Sequence, residues 1–237
     1  MGCKQAKSES LKVTMPKQGL VQSSERLATA PKMELKKDPK EFVPKGYTLF
    51  QQYKGDLNKD GKSDVVLMIK GTEESKWVDD ENRGRLDRNR RGLIILFKRK
   101  NGYEQILRND TCFSSENEDG GIYDAPELEL YIIKNTLHIY FAHGRYGCWN
   151  YIFRYQNNDF ELIGYNHTRC IRCVTYYNLD INFSTRTRVY EENLNADDDE
   201  KEERFKVTKS KIRRKKLIKL SEIADLDKLN MGEFADE

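Results

Sequence analysis

The sequence predicts a mainly β protein. It reads as a single antiparallel β-meander domain, propeller-like or sandwich-like, behind a disordered N-terminal tether and ahead of a short C-terminal helix or coil. Three observations carry this reading. The apolar runs are short and rich in β-branched and aromatic residues, as in Val65-Val66-Leu67-Met68-Ile69 and Leu93-Ile94-Ile95-Leu96-Phe97, the composition that suits strands. The gaps between them are hairpin-length, too short for parallel crossovers. Four of the five prolines, Pro16, Pro31, Pro39 and Pro44, precede the apolar runs and only Pro126 falls among them, which suits strands whose amides are needed in ladders.

Taken in order, residues 1–41 are assigned to the tether. They are rich in Lys, Gln, Ser and Pro, and no Phe, Tyr or Trp precedes Phe42. Such a segment buries too little apolar surface to offset its ordering entropy. A short helix over 18–29 is the alternative, marginal in isolation. Residues 42–230 form the β domain. Later strand-like runs are Glu129–Ile133, Leu137–Phe141 and Tyr151–Tyr155, with turn signals at Lys100-Asn101-Gly102, Asn135-Thr136 and Gln156-Asn157-Asn158-Asp159. Residues 73–91 are nearly all polar and read as a long exposed loop. Residues 192–203 read as a solvated acidic loop. Leu217–Ile223 is expected as the short helix or coil, with Ser221 as its cap, and 231–237 as a tail.

Composition limits the function classes. The 237 residues carry 42 Lys+Arg against 39 Asp+Glu, a net charge of +3, with acidic and basic residues interspersed. That is not the field of a nucleic-acid-binding protein, so no nucleic-acid partner is expected. No run of 18 apolar residues exists to span a membrane. The chain opens Met1-Gly2-Cys3-Lys4, with no apolar segment before the cysteine. Gly2-Cys3 reads as the end of a bacterial lipobox, with Cys3 the lipid attachment site. N-myristoylation of Gly2 is disfavoured, because Ala6 stands where Ser or Thr is wanted; a plain thiol is the remaining alternative. The expected address is the bacterial cell envelope, lipid-anchored at the outer membrane and facing the periplasm. Lys4 lacks the Asp associated with inner-membrane retention.

The sharpest motif is Gly55-Asp56-Leu57-Asn58-Lys59-Asp60-Gly61-Lys62-Ser63-Asp64, running into the Val65 strand. Oxygen-bearing residues fall at positions 1, 3, 5 and 9 with glycine at 6. This spacing curls a loop around a hard cation that wants six to eight oxygens. Ca²⁺ is therefore expected, held by Asp56, Asn58 and Asp60 side chains, the Lys62 carbonyl and Asp64. Leu67 stands where an EF-hand has its bidentate Glu, and a strand follows instead of a helix. The loop resembles the calcium loops of FG-GAP and VCBS-type β-propeller repeats. It occurs once, which does not support a full propeller.

At larger scale the chain resembles a family of uncharacterised bacterial lipoproteins from Bacteroidetes and proteobacteria. The matching residues span Phe42 to about Asp227, and include Phe42-Val43-Pro44-Lys45-Gly46-Tyr47, the Asp-rich loop, Arg91–Ile95, Leu137-His138-Ile139, Gly147-Cys148-Trp149-Asn150-Tyr151, Phe153-Arg154-Tyr155 and Asp159-Phe160-Glu161-Leu162-Ile163-Gly164-Tyr165. The family's Gly-Ser run before the Trp is here Gly144–Gly147, and its Thr-Gly turn is here Ser184-Thr185-Arg186. The resemblance implies a secreted, lipid-anchored β domain and supplies no activity.

The other chemistry-bearing residues weigh less. Cys112, Cys148, Cys170 and Cys173 are candidates for disulfides, with structural thiols, a zinc site or a redox pair as alternatives. His138, His143 and His167 show no ligand spacing; His143 near Cys148 invites a Cys-His dyad but reads better as a loop histidine. Asp79-Asp80-Glu81 beside Arg83, Arg85, Arg88, Arg90 and Arg91 reads as a mutually neutralised loop, and no catalytic motif is present. Lys209 to Lys219 could touch anionic lipid head groups, though a charged edge strand that resists pairing is the plainer reading. The expected function is a non-catalytic, Ca²⁺-stabilised envelope lipoprotein that binds an envelope protein or glycan. An immunity-type inhibitor of a toxin or envelope hydrolase is the first alternative. An envelope hydrolase using the 79–91 carboxylates or Cys148 is the second.

Overall fold

Two strands read as unbroken apolar runs because both of their faces are buried. In the computed structural model, which describes residues 35–120, 123–198, 200–213, 215–229 and 231, Val65–Ile69 and Leu93–Phe97 are the two central strands of a five-stranded sheet. In chain order its strands are β1 (Leu35–Lys36), β2 (Tyr47–Gly55), β3 (Asp64–Gly71), then, after a hairpin of β4 (Trp77–Asp80) and β5 (Gly84–Asp87), β6 (Arg91–Arg99) and β7 (Gly102–Phe113). The spatial order is β1-β7-β6-β3-β2, antiparallel throughout. A short pair, β8 (Asp119–Gly120) and β9 (Tyr123–Asp124), leads to the second sheet.

That sheet is a strict meander of seven strands, each paired only with its sequence neighbours. They are β10 (Glu127–Ile133), β11 (Thr136–Ala142), β12 (Gly147–Gln156), β13 (Asp159–Ile171), β14 (Val174–Asn182), β15 (Thr187–Asn193) and β16 (Phe205–Lys211). Mainly antiparallel β is thus the architecture, and no described helix exceeds four residues.

One core joins the sheets. Val66, Met68, Leu93, Ile95 and Phe97 from the first pack with Leu130, Ile139, Tyr151, Phe153 and Leu162 from the second. The reverse face of the first sheet has its own core, in which Val65, Leu67, Ile69, Ile94 and Leu96 meet Phe42. A 3₁₀ turn, Pro39–Phe42, delivers that phenylalanine. Asp38 accepts the Lys40 N–H (2.9 Å) and Glu41 accepts the Asp38 N–H (3.2 Å), a capping box with Pro39 at its start. The sheets touch where β2 meets β10. A Cβ on Gly55 would lie 2.6 Å from Ile132 Cγ2, so only glycine fits there.

Several boundaries differ from expectation. The fold takes in residues assigned to the tether, since Leu35 and Lys36 pair with Glu104 and Tyr103. The helix alternative over 18–29 lies outside the described residues. Residues 73–91 are not a plain loop: β4 and β5 form a hairpin with Val78 opposite Leu86. Asp80 makes its turn by accepting the Asn82 and Arg83 N–H groups, both at 2.9 Å. The β10–β11 turn is Lys134-Asn135, both left-handed, one residue earlier than predicted. Asn157-Asn158 turns as predicted.

Among the described residues the C-terminal segment contains no regular α-helix. Two 3₁₀ turns, Leu220–Glu222 and Leu226–Lys228, press Leu220 and Leu226 into the shared core. Lys219 occupies the cap position without a side-chain bond, and the Ser221 hydroxyl donates to Asp159 instead. Met231, placed in the tail by the sequence reading, is also buried in that core. No described helix is long and apolar enough to cross a membrane.

Candidate functional site

The Asp-rich segment joins β2 to β3 as a tightly wound loop. Gly61 supplies the left-handed residue (φ 78°), and Lys59 is left-handed too (φ 67°). The side chains are used to wind it. Asp56 accepts the N–H groups of Lys59 (2.7 Å) and Gly61 (3.0 Å), bridging the loop. Asn58 accepts the Asp60 N–H (2.9 Å). Asp60 accepts from the Lys62 backbone N–H (2.9 Å) and the Lys62 ammonium (3.0 Å), and these two bonds, in that order, hold its carboxyl below the usual range.

Asp64 is different in kind. It is fully buried, and its two oxygens accept the Leu57 N–H (2.8 Å) and the Lys98 N–H (2.9 Å). It therefore ties the loop to the end of β6, while burial raises its carboxyl above the usual value. Among the described residues no three of His, Cys, Asp and Glu converge as a metal group. The expected ligands do share one loop, but Asp60 is balanced by Lys62 and Asp64 already serves two backbone donors. The loop's shape fits a cation better than its present charge pairing does.

A second feature was not singled out in the sequence. The seven-stranded sheet turns alternate residues away from the core, and the register aligns them in rows. One row runs Glu129, Tyr140, Asn150, Asn166, Asp180; the next contains Tyr131 and His138. Tyr131 stacks on His138 with centroids 4.6 Å apart and planes 18° apart. The Thr136 hydroxyl donates to the Ile133 carbonyl (2.6 Å), so it accepts from His138 Nε2 (3.0 Å). His138 Nδ1 is then the acceptor for the Asn150 amide (3.0 Å). This fixes a neutral imidazole, and burial pulls its pKa below the ordinary value. Asn150 Oδ1 is buried and unpartnered. Thr168 donates to Asn178 (2.9 Å), and the Asn166 amide donates to Asp180. The outcome is a pre-ordered polar and aromatic surface. The alternation Glu129-x-Tyr131 and His138-x-Tyr140 was the available signal for it.

The remaining candidates disperse. Cys3 lies outside the described residues. Cys112, Cys148, Cys170 and Cys173 are all thiols, so the expected disulfides are not formed. Cys112 is sealed in the shared core, where burial raises its pKa far above the usual thiol value. Cys148 stands in the outward register of β12, where Tyr140 donates to its sulfur; that bond, ahead of burial, pushes the Tyr140 pKa up to about 12. Cys173 occupies an unusual left-handed turn with Arg172 (φ 73° and 53°). The His143 ring tilts against Tyr146, 5.3 Å between centroids. Asp80 shapes its own turn, Asp79 lies opposite Arg85, and Arg83 and Arg88 both reach Asp119 (3.1 and 2.7 Å). Within the hairpin region Asp80 pairs with Arg83 (3.7 Å), while Arg85 reaches Glu74 rather than Asp79.

Compared with known proteins, the chain matches no family, no curated protein and no solved structure. The likeness to envelope lipoproteins rests on the motifs alone.

Proposed function

We propose that this chain is a non-catalytic binding module of the bacterial envelope, anchored by lipid on Cys3. Ca²⁺ at Asp56, Asn58, Asp60, Lys62 and Asp64 stiffens it. The outer face of the seven-stranded sheet receives its partner. The observation that carries this reading is that face. Its Tyr131–His138 stack, Tyr140, Asn150, Asn166 and Asp180 are already oriented by cross-strand bonds, so little side-chain entropy remains to be lost on binding.

A glycan fits better than a protein. Ring faces flanked by amides and carboxylates match the alternating apolar and hydroxyl surfaces of sugars. The desolvated apolar anchor that dominates protein interfaces is missing from these rows. What supports the calcium part is the oxygen spacing and the turn at Gly61.

The partner is tested by co-sedimentation with insoluble envelope polysaccharide. Tyr131→Ala and Asn166→Ala should each weaken retention about tenfold or more; retention that ignores both variants removes the outer face as the site. The ion is tested by thermal unfolding in EDTA and then in CaCl₂. One ion at 100 times its Kd stabilises by about 2.7 kcal/mol, a rise of about 5–10 °C for a chain of this length. The rise should vanish in Asp60→Ala. No rise in the unaltered protein leaves the loop as a metal-free turn.

A further inference from the structure

The two ends of the sheets carry opposite charge. The Lys98 N–H bond to Asp64 and the Asn135 amide bond to the Asp56 carbonyl (2.9 Å) gather the Asp-rich loop, the β6–β7 turn and the β10–β11 turn at one end. The up-and-down meander puts the β12–β13 and β14–β15 turns there as well. Residues 212–219 cross the same end. The Ile212 N–H donates to the Arg186 carbonyl (3.1 Å), and the Ile218 carbonyl accepts from Leu162 (2.8 Å). Leu35 and Lys36 pair with Glu104 and Tyr103 beside the β6–β7 turn. The turns of this end present Lys59, Lys100, Lys134, Arg186, Arg213 and Lys215, which outnumber the carboxylates Asp56, Asp60 and Asp159 there. The opposite end holds the 73–91 hairpin, the described residues 114–120 and 123–126, and the acidic segments 194–198 and 200–204.

At the basic end a cavity of about 450 Å³ opens between Phe183, Ser184, Arg186, Lys215 and Leu217. Phe183 and Leu217 belong to the shared core and its fringe and make an apolar floor. Arg186 and Lys215 are exposed and have no carboxylate partner among the described residues. Blocking of the β16 edge does not account for them. That strand ends at Lys211, and Arg213 and Lys215 lie beyond it.

We propose that this end is a docking surface for an anionic phospholipid bilayer, with Arg186 and Lys215 seating a lipid phosphate above Phe183 and Leu217. A guanidinium offers paired donors to phosphate oxygens, and a lysine adds a point charge. The cations of this end face the negative headgroup plane, while the acidic end points away from it. The contact needs no acyl group on Cys3, so it stands or falls separately from the anchor.

The test uses the full chain carrying Cys3→Ser, which cannot be lipidated there. It is sedimented with vesicles of phosphatidylcholine alone, and with phosphatidylglycerol making up about a third of the lipid. Binding is expected only with phosphatidylglycerol and should weaken with salt. Each cation near such a surface is worth about fivefold in partitioning. The triple variant Arg186→Ala, Arg213→Ala, Lys215→Ala should therefore lose on the order of 100-fold, with an unchanged thermal midpoint because the three side chains are exposed. The matched triple at the other end, Lys76→Ala, Arg172→Ala, Lys201→Ala, should retain binding. Equal binding to neutral vesicles, no binding to either vesicle, or equal loss in both triples overturns the proposal.

Discussion

The five-stranded and seven-stranded sheets use the same antiparallel ladder to opposite ends. In the first, β3 and β6 are buried on both faces, between the second sheet and the Phe42 segment. Their apolar runs have no polar phase because neither face meets water. In the second, β10 alternates exposed and buried residues and β16 is exposed almost throughout. One face of that sheet is core and the other is a prepared surface. The first sheet is scaffold, and the second combines scaffold with display. A strand's own sequence tells which it is, through the presence or absence of period two.

The largest effect that would sharpen this contrast comes from placing a charge on each sheet. Ile94→Lys, in the reverse core, leaves an unpaired ammonium where no exposure exists and should abolish cooperative folding by circular dichroism. Asn166→Lys, on the outward row of β13, should shift the urea midpoint by no more than about 0.5 kcal/mol equivalent. If the two variants behaved alike, the division into scaffold and display would be wrong.

Asp64→Ala should come next. It orphans the Leu57 and Lys98 N–H groups, at about 1–3 kcal/mol each, so a loss of about 2–6 kcal/mol in chemical denaturation is expected. The smallest effect concerns pH. His138 and His167 both have folded-state pKa values lowered, chiefly by burial. Each therefore contributes stability present above the unfolded imidazole pKa and lost as pH falls through the lowered value. Denaturation midpoints taken from pH 7.5 down to 5.5 should fall, and less steeply in His138→Gln. A flat profile would mean that the Thr136–His138–Asn150 chain does not exclude the imidazolium.

The strands and the fold class were legible because β-branched runs and Asn turns are local signals. Asn157-Asn158 turns where asparagine tolerates left-handed backbone. Arg172-Cys173 makes an equally tight turn with neither glycine nor asparagine, so no local rule could have placed it. The Asp56–Gly61 winding was visible as spacing, but the burial of Asp64 was not, since its second partner, Lys98, is supplied by the far end of β6. The outer rows were half legible. Alternation marked Tyr131 and His138 as outward-facing, but the stacking and the neutral tautomer depend on Thr136 and Asn150, which only the register brings together. Charge polarity escaped the composition because +3 averages over two unlike ends.

The C-terminal segment has a consequence for the order of assembly. The β10–β11, β12–β13 and β13–β14 hairpins of the second sheet close over two-residue turns, a fast and local event. By contrast, the Asn109 amide must find the Ile223 carbonyl across 114 residues, and the Ser114 N–H must find Asp227 across 113. Loop closure of that length is slow and comes after the local pairings. The meander is thus expected to exist while Leu220, Ile223 and Leu226 are still outside the core. A chain emerging from synthesis would leave that part of the shared core uncovered until residues 220–226 arrive, which makes that interval the one in which it most needs a chaperone.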